Sequence, residues 1–84
     1  MIELAILEGI ARQQAQSASS RVRAAALEEV ARICASCEDI QQALLELKAA
    51  HDLHDALPWR SAFAWARAEL GRLVATRPMD FPDD

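Results

Sequence analysis

Between Ile10 and Leu57 the chain holds neither a glycine nor a proline. Those two residues interrupt helices most readily, and the stretch is rich in Ala, Leu, Glu, Gln and Arg, so its favoured regular structure is helix. Within it Ala26, Val30, Ile33, Cys37, Ile40, Leu44, Leu47, His51 and His54 recur at spacings that alternate four and three. That alternation is a heptad seam, the stripe that one helix presents to a neighbour. The breakers lie towards the ends: Gly9 early, then Pro58 and Gly71, with Pro78 and Pro82 in the final segment.

The seam allows either one helix over about 20–57 or two helices with a break near Ser36–Asp39. A single helix of about 37 residues would be about 55 Å long and would outrun so small a domain, which favours the break. Ser36 is a candidate cap there, with Glu38 and Asp39 suited to a first helical turn. Upstream, Ile2, Ile6 and Ile10 make one stripe of a first helix, and Ser19 or Ser20 is placed to cap the next. Pro58 suits the first turn of a last helix and ends the preceding one at Leu57. After it, Trp59, Phe63, Ala66, Leu70 and Leu73 form another stripe. The expected fold is all-α: a small bundle of three to four helices built as helical hairpins, one domain over 1–77 with an acidic, Pro-containing tail at 78–84.

Charge narrows the function classes. Thirteen acidic residues against nine basic give a net charge of −4, which opposes binding to a phosphate backbone, so nucleic acid is not an expected partner. No apolar run approaches the roughly 18 residues of a membrane span, and Glu3 and Glu8 stand where a signal peptide would be basic. With two cysteines that do not suggest a disulfide framework, the expected location is cytoplasmic, with reduced thiols. Residues 38–57 hold five acids and one Lys, whereas 59–77 hold four Arg and one Glu. The third and fourth segments are therefore complementary, as expected of an antiparallel pair.

The stretch with most apparent chemistry runs from Cys34 to His54, "CASCEDIQQALLELKAAHDLH". Cys34, Cys37, His51 and His54 resemble the ligand spacing of a two-cysteine, two-histidine zinc finger, and the resemblance implies a zinc-binding module using those four residues. The chain departs from the family where an aromatic and a leucine would stand, with Gln41 and Lys48. The intervening "EDIQQALLELKAA" is helix-forming, and a helix would separate Cys37 from His51 by about 21 Å, too far for one ion. The seam explains the same residues as core-facing positions, with zinc as the alternative. "HDLHD" at 51–55 resembles part of metal phosphohydrolase motifs, but the chain has no further histidine for such a site. Cys34 and Cys37 also have redox Cys-x-x-Cys spacing, without the preceding strand that motif needs. No Ser-His-Asp arrangement or Gly-rich phosphate loop can be built, so neither a catalytic residue nor a cofactor is expected, and the chain reads as a non-enzyme.

Trp65 falls about 120° from the last helix's stripe, beside Glu69 and Arg72, and a Trp on a polar face is a usual binding anchor. Ala66, Leu70, Leu73 and Pro78 resemble the second helix of a tetratricopeptide repeat over half a repeat, with Leu73 where a small residue belongs; this implies stacked helical hairpins. Arg outnumbers Lys eight to one, a composition expected of a GC-rich genome. Together these features point to a small acidic protein-interaction protein: an adaptor, chaperone or inhibitor of bacterial or phage origin, such as an anti-CRISPR-like inhibitor. Its expected partner is another protein or a second copy of itself, and Trp65, Glu69 and Arg72 are the expected contact residues.

Overall fold

Four helices account for most of residues 2–76, which the computed structural model describes. They are α1 (Ile2–Ser17), α2 (Arg21–Ser36), α3 (Ile40–Leu53) and α4 (Leu57–Thr76), with no strand among the described residues. The expected all-α fold is present, in its four-helix form. The tail at 78–84 lies outside the described residues.

The breaks are made by capping chemistry in place of glycine. Ser20 has extended backbone, and its hydroxyl accepts the Arg23 N–H at 3.2 Å, starting α2. α2 ends at Cys37, also extended, whose N–H still reaches the Ile33 carbonyl at 3.1 Å. Asp39 then caps α3 by accepting the Gln42 N–H at 2.7 Å, while the Gln42 side chain accepts the Glu38 N–H at 3.0 Å. This reciprocal pair resembles a capping box and satisfies donors that the first turn leaves without helical partners. Of the two versions of residues 20–57, the broken one holds. The cap is Asp39 and not Ser36, whose hydroxyl instead bonds back to the Ile33 carbonyl at 3.1 Å. The helix before Pro58 stops at Leu53, not at Leu57. Leu57 opens α4, and the Ala56 carbonyl accepts from both Trp59 and Arg60 at 3.1 Å. Pro58 sits in that first turn, where its missing N–H removes no helical bond.

α1 packs mainly on α2, and α3 on α4. Short connectors at 18–20 and 54–56 make each pair an antiparallel hairpin. The hairpins meet chiefly through α2 against α4, while α2 and α3, adjacent in sequence, touch little. Among the described residues no helix is long and apolar enough to cross a membrane.

The core draws Leu4, Leu7, Ala11 and Ala15 from α1 and Ala26, Leu27, Val30, Ala31, Ile33 and Cys34 from α2. Ala62, Phe63, Ala66 and Leu70 of α4 close over it, and Phe63 is the largest side chain fully removed from solvent. Repeated alanines at the contacts let helix axes approach closely. The Ile2–Ile6–Ile10 stripe is not the one that builds the core. Ile2 is 70% and Ile6 42% exposed, and the inward face of α1 carries Leu4 and Leu7 instead. Two apolar stripes compete on that helix, and the face that meets α2 and α4 decides between them.

Candidate functional site

α3 is the helix least absorbed by the core. Only Ala43 and Leu47 are buried, while the seam positions Ile40 and Leu44, and Ala50 beside the seam, are half-buried against it. On the other side Leu45, Ala49 and Leu53 follow one another at intervals of four residues, a second apolar stripe facing water. Leu45 is 66% and Leu53 80% exposed, and Leu57, just past the turn, is 76% exposed. Large apolar side chains aligned in water along one helix are a feature of contact surfaces.

Because α2 and α3 diverge, an open cleft of about 370 Å³ lies between them. Ile33, Ala49, Ala50 and Leu53 supply its apolar surface, with Glu29, Arg32, Glu46 and His54 around it. Arg32 bonds through both Nε and Nη2 to the Glu29 carboxylate one turn away. That hydrogen bond is the main reason the Glu29 carboxyl is held below its ordinary range. Glu46 adds its negative field from across the cleft to that of Glu29 at the guanidinium.

The histidines serve the turn between α3 and α4. His54 ends α3, its imidazole stacked on Trp59 at 4.6 Å and 10° and against Phe63 at 5.6 Å. Its carbonyl accepts from the Arg60 guanidinium at 3.4 Å. Aromatic stacking of this kind ties the turn to the core. His51, three-quarters covered, lies 3.1 Å from Asp52 through Nδ1. Asp52 also receives Lys48 at 2.9 Å, and these two hydrogen bonds, Lys48 first, hold its carboxyl down at about 2.

The cysteines lie beyond the opposite end of α3. Cys34 is buried in the last turn of α2, and burial, with smaller contributions from Cys37 and Glu8, pushes its thiol up to about 11. Cys37 is half-buried and is also pushed up, first by burial and then by Glu46. A reactive cysteine is favoured by the opposite shift, because the thiolate is the nucleophile. Most of α3, which is about 21 Å long, separates the cysteine pair from the histidine pair. Among the described residues no three His, Cys, Asp or Glu side chains come together as a metal-holding group.

Trp65, Glu69 and Arg72 share one face of α4, as their spacing requires. Trp65 is half-buried and packs on the core, so part of its ring serves the fold. Glu69 and Arg72 bond to each other at 2.6 Å. The sequence reading missed Leu45, Leu53 and Leu57; the signal was the i, i+4, i+8 spacing of Leu45, Ala49 and Leu53 running beside the more regular seam. In comparisons with known proteins, no family model, curated protein or solved structure matches this chain.

Proposed function

We propose that this chain is a small protein-interaction protein, an adaptor, chaperone or inhibitor of the kind bacteria and phages encode, with anti-CRISPR-like inhibition as one example. The observation that supports this most is the run of solvated leucines at Leu45, Leu53 and Leu57 beside an open cleft. Apolar surface left in water by a chain with a modest core is stabilised when a partner covers it. Trp65, Glu69 and Arg72 offer a further contact, weaker because Trp65 is partly engaged with the core.

The test is retention of a partner by the tagged chain, compared with a Leu45→Asp/Leu53→Asp double variant of equal helicity. A defined protein bound by the first and lost from the second supports the reading. No partner for either, together with a monomer in sedimentation, removes it. Zinc measured per chain after purification without chelator separates the competing module. The interaction reading expects far less than one ion per chain, and one tightly held ion with helicity lost on chelation would replace it.

A further inference from the structure

We infer that the outer face of α3, with its cleft against α2, receives a basic amphipathic helix from another protein; this rests on the interaction reading above and names the partner's chemistry. The shape argument starts from Leu45, Ala49 and Leu53. Their spacing lays apolar groups along about 12 Å of helix. A partner helix with apolar residues at i, i+3 or i+4, and i+7 presents a matching stripe, and helix-in-groove docking reads such anchors. The cleft beside the stripe offers about 370 Å³ for a side chain to enter between α2 and α3.

Charge selects the partner's flanks. Glu46 borders the stripe on the cleft side and Asp52 borders it on the other, as the 100° step between residues requires. The nearby cations are already engaged by acids of their own helices, Arg32 with Glu29 and Lys48 with Asp52. Glu46 feels Arg32 across the cleft but makes no hydrogen bond among the described residues. With Glu29 and Asp52 each paired to a cation, Glu46 is the rim carboxylate left over. A Lys or Arg flanking the partner's apolar stripe would meet the Glu46 carboxylate, steering its approach and fixing its register.

The test uses the full chain and three labelled helical peptides: one with a leucine stripe flanked by Arg and Lys, one with the same stripe flanked by Glu, and a scrambled form of the basic one. Fluorescence anisotropy is expected to show binding of the first alone. Leu53→Asp, or Leu45→Asp as a second solvent-facing variant, should weaken binding at least about tenfold although each adds an acid. Glu46→Lys should weaken the basic peptide and improve the acidic one. If Leu53→Asp leaves binding of the basic peptide unchanged or strengthens it, or if the scrambled peptide binds equally, the attraction is non-specific and the proposal falls. A dimer dissolved by Leu53→Asp, without peptide binding, overturns the basic-helix partner while leaving the interaction reading in place. A monomer that binds none of the peptides also overturns it.

Discussion

α2 and α3 carry consecutive halves of one heptad seam, yet they end in different environments. In α2 the seam residues Ala26, Val30 and Ile33 are buried, joined by Leu27, Ala31 and Cys34. In α3 only Leu47 of the seam is fully buried, and Ala43 beside it. The helices are similar in length, 16 and 14 residues, and each is capped by an oxygen side chain. What differs is the company: α2 lies between α1 and α4, while α3 has α4 as its main neighbour. A periodic pattern specifies that a stripe exists, and the number of neighbouring helices specifies how much of it leaves water. α2 therefore maintains the fold, and α3 keeps an apolar stripe in water.

The largest expected break in this comparison comes from paired truncations. Leu27→Ala in α2 should cost about 2–5 kcal/mol, because a fully buried leucine leaves a cavity among packed neighbours. Leu44→Ala, at a half-buried seam position in α3, should cost about 1 kcal/mol. Urea unfolding of both measures the gap, and equal losses would mean that α3 is as deeply embedded as α2.

A second contrast is the pH response of the two thiols. The folded state keeps the Cys34 thiol protonated up to about 11, against an ordinary value of 9.0. Above that ordinary value the unfolded chain loses the proton while the native chain keeps it, so the native state binds more protons and stability falls with rising pH. The loss should develop between those two values and level off beyond. Cys34→Ala should flatten the decline, whereas Cys37→Ala, at the half-buried joint before α3, should alter it less.

Smaller again is the effect of capping. Asp39→Ala should cost about 1 kcal/mol and Ser20→Ala a similar amount. The distribution should differ. With little tertiary burial to hold it, α3 should exchange its amide hydrogens markedly faster after loss of Asp39, while α2 should stay protected after loss of Ser20. Equal protection of both helices in the two variants would contradict the asymmetry.

Much of the architecture was legible because it rests on local signals. Helix-forming composition, the Ser20 cap and Pro58 in a first turn all act within a few residues of where they stand. The break near Ser36–Asp39 was legible from length and charge, but its cap was placed three residues early because Ser36 and Asp39 are both competent. Only the bond actually made, Asp39 to the Gln42 N–H, decides. The choice of face was not legible. Ile2, Ile6 and Ile10 form a regular stripe, as do Leu45, Ala49 and Leu53, yet both are mainly turned to solvent, because long-range packing ranks competing stripes. His54 lay on the seam, but its stacking on Trp59 depends on how closely α4 folds back after the turn.

The central claim is that the outer stripe of α3 is spare to the fold, and Leu53→Asp tests it most directly. With the native side chain 80% exposed, a charge there should change the free energy of urea unfolding by no more than about 0.5 kcal/mol. A loss above about 2 kcal/mol would show that the stripe is buried in the working fold, and a face consumed by folding could not receive a partner.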